Sequence, residues 1–363
     1  MKRNFSTGSV LLLMAGCVMP LRTESAVKMD GNVNGHVEAN VKMQGKMEAH
    51  VRTEQSPLVD PGPLLEVPVP PVGPECGCKV AVVDVDGVLA NLNNVGPFSL
   101  GENPVAAFKE KLDACAADPC VKAVVLRINT PGGAVAATDL MWHELVRFRQ
   151  ATGKPVVACL LDLGTGGGYF LATGCDAVYA IPSAVVGGVG VLLNLWDGKD
   201  NQGQAAIYPE RVVAGEKIDM GTLIRKLTPQ EKEILEGMAK GYHQRFKEVV
   251  TKARPKAAAK PDLFDGRVMA ADQALQAGLI DGVGYPDEAI AAACQLAKVG
   301  PAQPVMYRRQ GDQARSLYAT TPNRPISSGG LLGLNIPGPD RAKLPTFLYM
   351  WLPEPAMLKL GGL

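Results

Sequence analysis

From Lys79 onward the chain alternates between short unbroken apolar runs and longer stretches with apolar residues at helical spacing. "KVAVVDVDGVL" reads as a buried strand. "NPVAAFKEKLDACAAD" has helical spacing and opens on Asn103-Pro104, a capping residue followed by proline at the first helical position. "VKAVVLRIN" predicts a second buried strand, and "TPGGAVAATDLMWHELVRFRQATG" a glycine turn feeding a helix. "KPVVACLLD" then predicts a third strand, and "LGTGGGYFLATGC" a second glycine turn and helix. "DAVYAIP" and "VVGGVGVLL" continue as strands. "LTPQEKEILEGMAKGYHQRFKEVVTKAR" predicts one long helix with Thr228 as N-cap and Pro229 at its first position. Strands alternating with helices predict crossover units and a largely parallel sheet, an α/β fold.

The flanks follow other patterns. Lys2 and Arg3 precede the apolar run Val10–Met14 and then Ala15-Gly16-Cys17. A basic start, a short apolar stretch and small residues are the pattern of a signal peptide. The run is too short to span a bilayer as a helix. A cysteine after the small pair resembles a bacterial lipobox, which makes Cys17 the expected lipid attachment site. The expected location is then a bacterial cell envelope, lipid-anchored and facing the periplasm. Ordinary secretion with cleavage nearby is the alternative.

Residues 18–55 are polar and quasi-repetitive, with Val33, Val37 and Val41 four apart. Gly31, Gly35 and Gly45 argue against a stable amphipathic helix there, so a tether or a weak self-associating strand region is expected. Residues 56–77 are proline-rich and predict a semi-extended linker. The folded domain is expected over 78–298, with a loop-rich extension over 299–363.

Composition narrows the function. In a chain of 363 residues, a net charge of +1 gives no support for nucleic-acid binding through a basic surface. Aromatics at 5% leave little for stacking bases. Export would permit disulfides; Cys76/Cys78 and Cys115/Cys120 are the close candidates, with pairing left open. Zinc is disfavoured because Cys-x-x-Cys spacing is absent and His is scarce. Neither a metal nor a cofactor is expected. Cys159 and Cys175 fall in apolar runs and read as buried hydrophobes.

Several blocks in order carry a resemblance: "LRINTPGG" at 126–133, "GKPVVACLLDLGTGGGYFLATGCDAVYAIPSAVVGGVGV" at 153–191, "AGEKIDMGT" at 214–222 and "FDGRVMAADQALQAGLID" at 264–281. Together they resemble the signal peptide peptidase A (protease IV) family, within the larger ClpP/crotonase fold of repeated β-β-α units. The resemblance covers roughly residues 79–290. It implies a serine peptidase with a Ser–Lys dyad: a hydroxyl at a helix start, a desolvated lysine to take its proton, and two backbone N–H donors for the oxyanion.

Matched residue by residue, the resemblance places the oxyanion donors at Gly133 and Gly167, both present. Where the family has its nucleophilic serine, this chain has Gly166. Where the family has its lysine base, it has Ile218, and where a serine orients that lysine, it has Gly188. Three polar side chains of one mechanism have become apolar, so no catalytic set is intact. Thr165 and Lys217 are the fallback pair, each one residue from the expected place. One residue on a helix is a rotation of about 100°, so Thr165 is expected to point away and cap the helix. In an extended segment Lys217 would face away from the site. His143, His243 and Cys159 form no convincing triad, and Asp162 and Asp176 are expected to close turns.

The expected function is therefore a pseudopeptidase of the envelope that binds peptides or acts as an assembly subunit. The family implies oligomers, with itself or with active relatives. Alternatives are an active hydrolase using Thr165, an acyl-CoA enzyme of crotonase type, and a structural envelope protein. "TFLYMWLP" at 346–353 alternates Phe347, Tyr349 and Trp351. It is a candidate contact strand, with packing on its own domain the favoured reading.

Overall fold

The computed structural model describes residues 9–14, 17–22, 24–25, 37–42, 48–53, 62–70, 77–92, 102–194, 214–221, 226–309, 316–318 and 346–351. They fall into two compact units, Met1–Asp60 and Pro61–Leu363.

In the first unit β1 (Ser9–Met14) pairs antiparallel with β2 (Cys17–Arg22). β3 (Glu24–Ser25), β4 (Val37–Lys42) and β5 (Glu48–Thr53) form an antiparallel three-stranded sheet. The valine spacing of four divides by two as well as it approximates a helical turn. In β4, Val37, Ala39 and Val41 alternate with polar residues, as Ala49 and Val51 do in β5. That period of two is the strand signal. Cys17 lies in β2; the preceding Ala15 and Gly16 lie outside the described residues.

The second unit opens with β6 (Leu65–Pro68) and β7 (Lys79–Asp86). Helix α1 (Pro104–Ala117) starts as expected, with the Asn103 side chain accepting from the N–H groups of Val105 and Ala106. Then come β8 (Val121–Thr130), β9 (Gly132–Ala134) and α2 (Val135–Thr152). The pattern repeats with β10 (Val156–Thr165) and the short α3 (Gly167–Ala172). β11 (Ala177–Ala180), β12 (Val185–Gly187) and β13 (Leu192–Asn194) follow. Gly187, Gly188 and Gly190 break the expected single run into β12 and β13.

Helix α4 (Pro229–Ala253) carries a full capping box. Thr228 Oγ1 accepts from Glu231 N–H, and Glu231 accepts from Thr228 N–H. After α5 (Pro255–Ala258) come β14 (Val268–Ala270), α6 (Ala271–Ala277), β15 (Gly282–Val283), α7 (Pro286–Leu296), β16 (Gln303–Arg308) and β17 (Thr346–Met350).

Among the described residues the main sheet has nine strands, ordered β14-β12-β10-β8-β7-β16-β6, with β11 on β10 and β15 on β11. β7, β8, β10 and β16 run parallel. This is the α/β, ClpP/crotonase-like fold that the patterning and the resemblance imply. Helices cover both faces, so the central strands are apolar on both sides. Val83, Leu126 and Leu160 pack with Phe108, Leu145 and Phe170 on one face. Val82, Val125 and Val157 pack with Ile290 and Ala293 of α7 on the other.

The domain is wider than 78–298. β6, inside the expected linker, pairs antiparallel with β16, inside the expected loop-rich extension, and β16 lies parallel on β7. Arg309 ties the ends together, donating to Gly62 O and to the carboxylates of Glu102 and Glu110. Leu65 and Val67 alternate in β6, and Pro304–Tyr307 is a short buried run in β16, signals that the surrounding prolines and glycines mask. Cys115 and Cys120 are free thiols, as are Cys78, Cys159, Cys175 and Cys294. Cys115 is buried on the apolar face of α1, so it packs and does not pair with Cys120. Cys76 lies outside the described residues.

Candidate functional site

The site is built where two glycine turns meet at one end of the sheet. At the first, β10 ends on Thr165 and α3 begins at Gly167, leaving Gly166 as the junction with φ 52° and ψ −121°. Side chains rarely adopt this backbone, and holding one there costs about 1–3 kcal/mol. A sharp strand-to-helix turn of this kind is a known way to present an attacking side chain above a sheet. Gly166 is pinned at both ends: its N–H donates to Gly187 O at 2.9 Å, and its carbonyl accepts from Phe170 N–H at 2.9 Å.

The second turn follows β8. Gly132 N–H donates to Thr130 Oγ1 at 3.0 Å, and Gly132 holds φ 108°. The two turns touch, since a Cβ on Gly132 would lie 2.7 Å from Gly167 N. Gly132 O accepts from Leu89 N–H, and Ala134 N–H donates to Leu89 O. Alternate residues of a strand turn their peptide groups to opposite sides. Gly133, between them, therefore directs its own N–H and carbonyl away from Leu89.

On that other side lies β17. It is the middle strand of a three-stranded antiparallel sheet, with Tyr349 opposite Gly133 of β9 and Leu348 opposite Leu192 of β13. The Tyr349 carbonyl reaches the junction itself. A Cβ on Gly166 would lie 2.8 Å from the Tyr349 carbonyl carbon and closer still to its oxygen; one on Gly132 would lie 2.9 Å from the same carbon. The Tyr349 ring is fully buried. It stacks on Phe170 at 5.3 Å, leans on Phe246 at 4.8 Å, and its hydroxyl donates to Tyr242 O at 2.8 Å. Phe347 meets Tyr242 edge-on at 5.1 Å, and Trp351 N–H donates to Pro131 O at 3.0 Å.

The other expected residues divide. Gly188 belongs to the site, because a Cβ there would sit 3.1 Å from Gly166 N and 3.6 Å from Trp351 Cβ. Thr165 borders it but does not cap α3: Gly166 holds the capping place, with no side-chain cap. Thr165 is the last residue of a strand, so its direction follows the strand and not a helix. Its hydroxyl is buried, with no hydrogen-bond partner among the described residues. Thr138 Oγ1, beside Gly167, is in the same state.

Ile218 and Lys217 lie in a turn and not an extended segment, with Ile218 N–H donating to Gly215 O. The Ile218 side chain is 71% exposed, and Lys217 lies 3.9 Å from Glu216. His143 is exposed on α2. His243 contacts Val189 O at 3.1 Å, at the rim of the site through backbone alone. Asp162 is exposed on β10 and closes no turn, because β10 continues past it to Thr165. Asp176 does close one, accepting from Val156 N–H and pairing with Arg149. Burial pushes the Cys159 thiol up to about 12, opposite to the direction a nucleophile needs. Among the described residues no group of His, Cys, Asp or Glu is arranged to hold a metal ion, and no helix is long and apolar enough to cross a membrane.

Tyr349 is the site residue the sequence reading did not place. Its alternation with Phe347 and Trp351 marks a strand but not the groove that strand enters.

Comparison with known proteins finds relatives of this chain. Residues 148–300 match the family described as peptidase family S49. The chain is 28% identical to Protease 4 of Salmonella typhi over 62% of this chain and 36% of that protein. It is 29% identical to the chloroplastic serine protease SPPA of Arabidopsis thaliana over 61% and 33% respectively. It is 24% identical to the putative signal peptide peptidase SppA of Enterococcus faecium over 71% and 78%. It thus spans about a third of the first two and most of the third. Over residues 148–300 the chain thus matches peptidase family S49, and over a longer stretch it is similar to protease 4 and signal peptide peptidase SppA.

Proposed function

We propose that this chain is a catalytically silent member of its family, a shell that binds extended peptide and does not cleave it. The observation that carries this is Gly166. It holds the backbone of a nucleophile junction without a side chain, in a space already filled by a peptide carbonyl. Two features support it. Gly188 offers no hydroxyl at the adjoining place. Ile218 offers no amine, and its exposure means that even a lysine there would be solvated and protonated near neutral pH. Gly132, Gly133 and Gly167 keep the backbone geometry in which a peptide lies against a sheet edge.

Thr165 is the alternative nucleophile. An attacking hydroxyl needs a base to take its proton, and Thr165 Oγ1 is buried with no such partner among the described residues. The test is a fluorophosphonate probe together with a peptide-cleavage assay on the full chain. No labelling and no cleavage are expected. Labelling lost in Thr165→Ala would overturn the reading.

Attachment to a bacterial envelope through a lipid on Cys17, and assembly with copies or active relatives, belong to the same proposal. The run from Lys2 to Cys17 supports the first, and the family resemblance the second. Incorporation of a clickable fatty acid, abolished by Cys17→Ala, is the expected result for the anchor.

A further inference from the structure

We propose that Cys78 and Cys120 are the two halves of a disulfide that staples the start of β7 to the start of β8 under oxidising conditions. The staple lies at the sheet edge opposite the glycine turns and is independent of the silent-shell reading.

Three observations carry it. First, the strand register sets the two residues side by side. β7 and β8 run parallel with Lys79 opposite Val121, and Lys79 N–H donates to Cys120 O at 2.8 Å. That rung leaves Cys78 level with Cys120. On its other side the Cys78 carbonyl accepts from Gln303 N–H of β16 at 2.9 Å, so Cys78 is held within the sheet. Neighbouring strands lie about 4.8 Å apart, inside the span of about 4.4–6.8 Å between Cα atoms that a disulfide bridges. Second, the faces agree. Cys78 packs against the cluster that Val80 and Val82 form with α7, whereas Val121 packs on the opposite face. Side chains alternate along an extended chain, so Cys120, one residue before Val121, turns to the side of Cys78. Third, access sorts the thiols. Among the described residues Cys115, Cys159, Cys175 and Cys294 are buried, and Cys78 and Cys120 are the two that are partly exposed. A dissolved oxidant reaches these two first.

This edge is held in place before any bond forms. Asp118 Oδ1 accepts from Cys120 N–H at 2.7 Å, and Asp118 Oδ2 lies 2.9 Å from Lys79 Nζ. One carboxylate thus fixes the backbone of Cys120 and the residue after Cys78 together. Joining the two sulfurs then asks for little backbone movement, and such movement is what spoils many engineered disulfides. Closeness in sequence would favour Cys115 for Cys120, yet Cys115 packs on the other face with Leu112 and Val121.

The oxidant is itself a disulfide, carried by a small thiol or by a protein. One cysteine thiolate attacks it, forming a mixed disulfide and releasing one thiolate. The second cysteine thiolate then attacks the protein-side sulfur and releases the other. Two thiols lose two protons and two electrons; the broken S–S bond takes the electrons, and the released thiols take the protons. The closed loop runs from Cys78 through α1 to Cys120, and in the chain-entropy account such a link stabilises by restricting the unfolded chain. β8 runs ten residues from Val121 to Thr130, so the staple stands on the order of 30 Å from the Gly132 turn and leaves it unaltered.

The test uses the full chain, reduced with dithiothreitol or oxidised with glutathione disulfide. Peptide mapping by mass spectrometry without reduction is expected to find Cys78 linked to Cys120, at a mass two hydrogens below the reduced pair. The oxidised chain is expected to melt about 5 °C or more above the reduced one. Cys78→Ser and Cys120→Ser should each abolish that rise while melting with the reduced native chain. If a serine variant fails to fold, the reduced and oxidised native chains still decide the matter. Three results would each overturn the proposal: a glutathione adduct that persists on either thiol without closure, linkage of Cys78 to Cys76 or Cys294 instead, or a linked chain that melts no higher than the reduced one.

Discussion

The carbonyl of Tyr349 occupies the space that a side chain on Gly166 would need. A substitution at 166 is therefore a test of β17 as much as of chemistry. Gly166→Ser adds backbone strain of about 1–3 kcal/mol at φ 52° and a clash with Tyr349. Expelling β17 relieves the clash. Denaturant melts are expected to show a loss of about 1–3 kcal/mol, and limited proteolysis new cleavage within 346–351. A stable Gly166→Ser chain with β17 still protected would mean that the strand is not where the structure has it.

Tyr349→Ala removes a buried ring, a change that ordinarily costs about 3–5 kcal/mol in a core. Here the loss has a ceiling, because β17 can detach once its anchor is weaker than the rest of its pairing. Tyr349→Phe removes only the bond to Tyr242 O and should cost about 0.5–1.5 kcal/mol. Urea titration of both variants, with the m-value, checks this. A detached strand in the alanine variant should appear as a lower m-value, since less surface is left to expose.

The triple change Gly166→Ser, Ile218→Lys, Gly188→Ser restores every family side chain, yet peptidase activity is not expected to return. Position 218 stands in solvent in the described turn, and the groove is filled. Position 188 has φ 69° with Trp351 close by. Cleavage of a fluorogenic peptide by the triple variant would show that the 214–221 turn can move onto the site.

Stability should fall on the alkaline side. Burial pushes the thiols of Cys115, Cys159 and Cys175 up to about 12, whereas an unfolded thiol titrates near about 8.5. Between those values the unfolded chain gives up protons that the folded chain keeps. Their contribution is intact below about 8.5 and is lost as pH climbs toward 12. Melting temperature followed from pH 8 to 11 should decline, and less so in Cys115→Ala. At pH 8 a thiol reagent should leave these three untouched until the chain unfolds.

Asp84 and Arg127 form a buried pair at 2.7 Å between β7 and β8, and Arg127 also donates to Leu317 O. Removing one partner takes the 2.7 Å counter-charge from the other, at a cost of about 3–5 kcal/mol. Asp84→Ala should therefore melt well below the native chain, and Asp84→Ala with Arg127→Met should recover part of the loss. No recovery would place the cost in packing.

The layers were legible because their signals are local. Asn103-Pro104, Thr228-Pro229 and the unbroken strand runs declare themselves within a few residues. The Gly166, Gly188 and Gly133 cluster was legible through the resemblance, and the structure brings those residues together. What was hidden depends on distance along the chain. β6 and β16 are short strands inside proline- and glycine-rich surroundings, and each becomes a strand only by pairing with the other and with β7. Tyr349 has a helix α3 ring beneath it and a β9 glycine beside it, and nothing in "TFLYMWLP" names either. Thr165, expected to cap the helix, is instead the last residue of a strand, one position before the capping place.

Chain order gives the β9–β17–β13 arrangement a temporal side. β17 follows every other described element. At about 5–20 residues per second, on the order of ten seconds of translation separate Asn194 from Thr346. In that interval β9 and β13 have been made and the strand that joins them has not. Each newly made molecule thus completes this three-stranded sheet last of all its described elements.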